Sequence, residues 1–184
     1  DLPRDGKMVP VVVQNTKQGL IFVLNRETGA PFFPIEERPV PQNPVPGEWL
    51  SPTQPFPVVP APLVNLGVQP DDAWGFTFVD RLACRRMIKS LRHDGFYAPS
   101  SFKGTILMPP YVGGTNWGGP AFDPGRNLII INVAHVPGAI RTVVREGAKI
   151  PAMKEFDLTK SMFFPQEGTP YLSENFFLLS PLGA

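Results

Sequence analysis

A single cysteine among 184 residues excludes an internal disulfide and any cysteine cluster of the kind that holds zinc. Charge is scarce too: Asp, Glu, Lys and Arg make up 18% of the chain, against about 25% in ordinary soluble domains. The 17 basic and 16 acidic residues nearly cancel, leaving a net charge of +1. Nucleic acid therefore finds no electrostatic footprint here. No apolar run reaches the roughly 18–20 residues that cross a bilayer, and no signal-peptide pattern is present. Ser-His-Asp and P-loop patterns are missing as well.

Proline is what the chain has in excess. There are 24 Pro and 17 Gly. Proline is thus about 13% of the chain, where ~5% is usual. Apolar residues make up 42%, enough to build a core. Short apolar runs punctuated by Pro and Gly predict an all-β fold with long irregular connections.

The clearest element is a hairpin. Val9 and Val11 to Val13 form one β-branched run, and Leu20 to Leu24 form a second apolar run. Gln14 to Gly19 is the polar loop between them. Asn25 to Gly29 then makes a turn, with Gly where a positive φ is needed. Lys17 stands out as a cation where two hydrophobic strands meet.

Residues 34–70 carry eleven prolines and predict an ordered insertion on the surface, because Trp49, Phe56, Val58, Val59, Leu63 and Val64 need cover. Residues 80–94 predict the one helix, with Asp80 as N-cap, Gly95 as terminator and Leu82, Ala83, Met87 and Leu91 facing inward. Its other face carries Arg81, Arg85, Arg86, Lys89 and Arg92, a solvated face before it is a membrane-facing one. Trp74 to Val79 reads as a strand, as does Gly104 to Met108. Pro120 to Phe122 and Leu128 to Val133 predict a second hairpin. Ala139 to Ala148 is ambiguous, and Phe156 to Gly183 reads mostly as loop.

Few residues could carry chemistry. Asn116 and Trp117 lie in GGTNWGG, where glycines permit close approach of backbone to a ligand. Asn132 ends the apolar run LIIIN and needs a partner if buried. His93 sits in the charged helix and His135 in a turn-like AHVPG. Glu36 and Glu37 are adjacent in a Pro-rich loop, which is no acid–base arrangement.

The order of these segments resembles a known family. Val23, Asn25, Thr28, Gly29 and Phe33 have the spacing of the docking motif of quinoprotein dehydrogenase propellers, with Asn for its Asp and Phe for its Trp. The opening Asp1-Leu2-Pro3 resembles the end of the WDxDLP segment of membrane-bound glucose dehydrogenases that use pyrroloquinoline quinone (PQQ). EERPVPQ (36–42), SPTQPF (51–56), GGTNWGGPAFDP (113–124) and LLSPLG (178–183) are similar to that family too.

The resemblance implies an arc of an eight-bladed antiparallel propeller, spanning residues 1–184, with the Pro-rich insertion and the helix added. It implies PQQ, with calcium or magnesium, a sugar or polyol substrate, and ubiquinone as electron acceptor. It places the parent enzyme at the periplasmic face of the inner membrane, with this chain itself in water. Lys17 matches the lysine that touches the ortho-quinone, and Asn132, Asn116 and Trp117 fall at positions near the cofactor. The catalytic Asp would stand two residues before Asp1, so no catalytic base is expected in the chain, and the fragment is expected to be inactive alone and to self-associate. A non-catalytic propeller scaffold is the competing reading, and an unrelated carbohydrate-binding β domain is a third.

Overall fold

The computed structural model describes residues 1–148, 157 and 159–182. The described residues are mostly β with one α-helix. In chain order, β1 (Leu2–Arg4) pairs with β2 (Lys7–Val9), β3 (Val11–Asn15) with β4 (Ile21–Asn25), and β5 (Ile35–Pro39) with β6 (Thr53–Pro57). Helix α1 (Phe78–Ser90) precedes β7 (Thr105–Leu107), and β8 (Pro120–Asp123) pairs with β9 (Leu128–Ile131). Then β10 (Gly138–Val144), β11 (Met162–Pro165) and β12 (Tyr171–Phe177) join β7 in a four-stranded antiparallel sheet, in the order β11-β12-β10-β7. The described strands form this sheet and four two-stranded ribbons, and no closed ring.

The β3–β4 ribbon forms where the two apolar runs predict it, with Val13 opposite Val23 and Asn15 opposite Ile21. Ile21, Val23 and Phe32 are buried as one small core, packed by Val11, Val13 and Ile131. The turn after β4 is tied by Asn25, whose Oδ1 accepts the N–H groups of Glu27 (2.8 Å) and Thr28 (3.0 Å). Gly29 follows at φ +74. Asn in place of Asp thus keeps the acceptor that the turn needs. Phe32, not Phe33, is the buried aromatic that closes this unit.

The helix differs from its expected bounds of 80–94. It begins at Phe78 because Thr77 is extended and its Oγ1 accepts the Asp80 N–H at 3.1 Å. Asp80 lies one turn inside, buried, and its Oδ2 accepts the Phe76 N–H at 3.0 Å. Trp74 to Val79 is therefore an approach loop and first helical turn, not a strand. The helix stops at Ser90 because the chain is then captured by a strand: Arg92 N–H donates to Gly104 O, and Ile106 N–H donates to Arg92 O, each at 2.8 Å. Gly95 has no part in ending it. The inward face is also rotated from the expected one. Ile88 and Leu91 are buried against Ala73, Ile106 and Ala139, with Cys84 packed beside them. Burying one such aliphatic side chain stabilises the fold by about 1.5–3 kcal/mol.

The Pro-rich stretch holds the β5–β6 ribbon, in which Pro55 and Pro57 are tolerated because a two-stranded ribbon leaves one side of each strand unpaired. Phe56 and Val64 are buried, but Trp49 is 82% exposed, contrary to the expectation that it needs cover. Strands β10 and β12 run through segments read as ambiguous or loop. Thr142 and Ser173 face each other, buried, across the centre of that pair, so no apolar alternation marks it. The uncertain segment 155–163 falls partly outside the described residues.

Candidate functional site

Lys17 sits at the tip of the β3–β4 hairpin, in a loop closed by its own atoms. Thr16 N–H donates to Leu20 O, and Gly19 N–H donates to Thr16 O, each at 3.0 Å. Gly19 is at φ +78, and a Cβ there would stand 2.5 Å from Val64 Cγ2, so the turn takes glycine on both counts.

A second segment, Gly113 to Thr115, docks on this tip. Gly114 N–H donates to Lys17 O at 2.8 Å, and the Thr115 hydroxyl donates to Thr16 O at 2.7 Å. Asn15 Nδ2 returns a bond to Thr115 O at 2.6 Å. Glycine is required for the approach: a Cβ on Gly113 would meet Asn116 Oδ1 at 2.0 Å and Lys17 Cγ at 3.1 Å. The Lys17 stem and the Asn116 amide therefore lie against the same face of Gly113. In the same way, a Cβ on Gly118 would meet Asn132 Oδ1 at 2.1 Å. Ala134 N–H donates to Gly114 O at 2.7 Å, which ties in the chain just after Asn132.

The four residues expected at the site thus gather around one glycine-rich segment, but they divide into two groups. Lys17 lines a cavity of about 500 Å³ together with Gln18, Tyr97, Tyr111, Ser173 and Asn175. That is within the size range of small-molecule sites. Asn116, Trp117 and Asn132 are exposed and do not line it. Trp117 is 83% exposed and donates its indole N–H to Val112 O, so it is not a core residue. His93 and His135 are outside the cavity; His135 Nε2 accepts the Asn65 N–H at 3.5 Å.

Three residues at this place escaped the sequence reading. Asn15 and Thr115 are buried and polar, and the only available signal was a polar side chain at the end of an apolar strand and another inside the glycine cluster. Tyr111 follows two prolines. Its hydroxyl is sealed from solvent with no hydrogen-bond partner among the described residues. Burial pushes that phenol above the usual tyrosine range.

A larger apolar cleft of about 860 Å³ lies apart from Lys17, between the β3–β4 and β8–β9 ribbons. Val11, Val13, Val23, Phe33, Ile129 and Ile131 are among its walls, and Asp1 is at its rim. Among the described residues no group of three or more His, Cys, Asp or Glu could hold a metal ion. None of their helices is long and apolar enough to cross a membrane.

The family described as PQQ, glucose/ethanol/alcohol dehydrogenase, beta-propeller domain, matches residues 1–184. The chain is 37% identical over 189 residues to the quinoprotein glucose dehydrogenase of Escherichia coli, covering all of this chain and 23% of that protein. It is 35% identical over 187 residues to the quinate/shikimate dehydrogenase (quinone) of Acinetobacter baylyi, again 100% of this chain and 23% of the relative. It is 38% identical over 151 residues to the glycerol dehydrogenase large subunit of Gluconobacter thailandicus, covering 80% of this chain and 20% of that subunit. The chain therefore spans less than a quarter of the length of these relatives. No solved structure matches it.

Proposed function

The chain belongs to the glucose/ethanol/alcohol dehydrogenase β-propeller family, and we propose that it forms the cofactor-facing arc of a PQQ-dependent dehydrogenase acting on an aldose or polyol. The observation that carries this reading is Lys17. It lines a ligand-sized cavity, and its backbone is held from a separate segment of the chain.

The residues fit the group on two counts. Lys17 brings a cation to a cavity whose other described polar lining is neutral. The Tyr111 hydroxyl, on a cavity-lining residue, is buried and orphaned. When bound, PQQ supplies an ortho-quinone that accepts a hydride equivalent from an alcohol carbon. Lys17, the lining residue with a cationic head, would hold the quinone end of the group and offset negative charge there. A preorganised donor of this kind lowers the barrier by about 3 kcal/mol. Gln18, Ser173 and Asn175 present neutral polar groups to the same space. Asn116, Asn132 and Trp117 form an exposed polar edge beside the glycine segment, and we assign them to the rim of the cofactor site.

Among the described residues no Asp or Glu lines the cavity. Asp1 lies on the other cleft. We assign the proton of the substrate hydroxyl to a carboxylate outside the described residues and expect the chain alone to turn over no sugar. No cluster of three or more His, Cys, Asp or Glu among the described residues could hold a metal ion, so none is assigned to calcium or magnesium. The relatives' names, with glucose, quinate and glycerol, support a hydroxyl-rich substrate. Ubiquinone as acceptor and the periplasmic face of the inner membrane as location belong to the same proposal. The ribbons' exposed apolar faces support an arc of a larger propeller, because two-stranded ribbons need further strands to cover them.

Protection of Lys17 tests the reading. The full-length enzyme, freed of cofactor, is acetylated with and without PQQ, and each lysine is quantified by peptide mapping. Lys17 is expected to be shielded by PQQ at least fivefold while Lys7, Lys89 and Lys103 label equally in both. Equal labelling of Lys17 would overturn it.

A further inference from the structure

We propose that Thr115 and Asn15 are positioning residues for Lys17, acting on the cofactor only through that lysine. This rests on the proposed role of Lys17 in binding PQQ. The Lys17 turn carries more hydrogen bonds than its closure needs. The Lys17 turn is already closed by Gly19 N–H donating to Thr16 O at 3.0 Å. The side chain of Thr16 closes it again: its Oγ1 accepts the Leu20 N–H at 3.1 Å and lies 2.9 Å from Leu20 O. The bond from Thr115 Oγ1 to Thr16 O, at 2.7 Å, is therefore a second donor on a carbonyl the turn has already satisfied.

What that bond adds is registration. The carbonyls on both sides of the Lys17 amide nitrogen and Cα, Thr16 O and Lys17 O, are gripped by Thr115 Oγ1 and by Gly114 N–H. The Lys17 Cα is thereby fixed between two points on a different segment. Asn15 completes the clasp from the end of β3 by donating to Thr115 O at 2.6 Å. Both side chains are buried, Thr115 at 1% and Asn15 at 7% exposure, while Lys17 between them is exposed. A buried polar pair spent on an exposed loop tip does little for the core. It restricts where the ammonium can reach. An exposed lysine has a flexible four-carbon stem. Anchoring its Cα limits the volume that Nζ samples, and so raises the fraction of time it stands at the quinone oxygen.

A double-mutant cycle on the full-length enzyme tests this. The dissociation constant of PQQ is measured by fluorescence quenching of the cofactor-free protein, in four forms: wild type, Thr115→Val, Lys17→Ala, and the double variant. Thr115→Val keeps the side-chain volume and removes the donor. It is expected to weaken PQQ about fivefold to tenfold when Lys17 is present, as for one lost hydrogen bond. It should weaken PQQ less than twofold in the Lys17→Ala background. Thr115→Ser restores the donor and is expected to bind within twofold of wild type. An equal loss in both backgrounds, or none when Lys17 is present, overturns the positioning role. An unchanged constant for Lys17→Ala alone overturns the cofactor role of Lys17 instead, and the positioning role falls with it. Should Thr115→Val not fold, Asn15→Ala replaces it in the same cycle with the same expected pattern.

Discussion

Gly118 makes room for Asn132. A Cβ on Gly118 would stand 2.1 Å from Asn132 Oδ1 and 2.6 Å from its Cγ and Nδ2. This contact joins the glycine-rich segment to the end of the β9 ribbon. The obstacle is the far end of an exposed side chain, which can rotate away. Gly118→Ala is therefore expected to leave the melting temperature within a degree or two while turning Asn132 out of place. Gly75→Ala is the contrast, because there a Cβ would stand 2.4 Å from Arg81 N, a backbone atom of the helix. Overpacking against an atom that cannot move costs about 1–3 kcal/mol. Thermal unfolding of the two variants side by side checks the difference. Equal losses would show that Asn132 is as rigidly held as the helix.

The helix depends on a cap the sequence placed three residues too late. Thr77→Ala removes the acceptor for Asp80 N–H and is expected to cost about 1 kcal/mol, while Thr77→Ser keeps it. Asp80→Ala would cost at least as much, since its buried carboxylate accepts Phe76 N–H. Denaturant titration of the three variants reads these values. A neutral Thr77→Ala would contradict the assigned N-terminus.

Cys84 is the chain's single cysteine, so its reactivity is read without interference. Burial raises its thiol above the ordinary range, and the Asp80 carboxylate raises it further. The folded-state value lies above the unfolded one, so the thiol's contribution to stability is complete at neutral pH. It is lost as pH rises through the ordinary thiol range toward the folded value. The pH profile of iodoacetamide alkylation is expected to have its midpoint above that of a free cysteine. Asp80→Asn should bring the midpoint down. A midpoint at or below the free value would mean that the helix leaves this thiol in water.

The β8–β9 ribbon exposes Phe122, Leu128, Ile129 and Ile130. Its outer edges are unpaired among the described residues, which makes them a template for another copy. The isolated chain is expected to scatter as a dimer or larger, and Ile130→Lys to shift it toward monomer. A monomer for the unmodified chain would refute this expectation.

What the sequence made legible was local. The β3–β4 hairpin could be read because two apolar runs flank a polar loop and the turns carry their own signals, in Gly19 and Asn25 to Gly29. The β8–β9 ribbon could be read for the same reason. Strands β10 and β12 could not, because Thr142 stands against Ser173 near the middle of that pair, both buried and polar, so no apolar alternation marks the strands. The helix bounds slipped because Asp80 looks like a cap in sequence, while the extended Thr77 performs that role in space. Lys17, Asn116, Trp117 and Asn132 were singled out as candidates through motif resemblance. Asn15 and Thr115 were not, since what gives them meaning is a hydrogen bond spanning 100 residues.

The central claim is that Lys17 acts on the reaction and does not merely tether a hairpin. Its most direct test is turnover of the full-length enzyme carrying Lys17→Ala, measured at saturating PQQ and expressed per bound cofactor, beside the melting temperature of the same protein. Loss of one preorganised donor is expected to lower turnover about 10²–10³-fold, with the melting temperature nearly unchanged. Lys17→Arg should recover only part, since the guanidinium keeps the charge but not the shape or reach. Near-normal turnover per bound cofactor in Lys17→Ala would contradict the claim, whatever happened to stability.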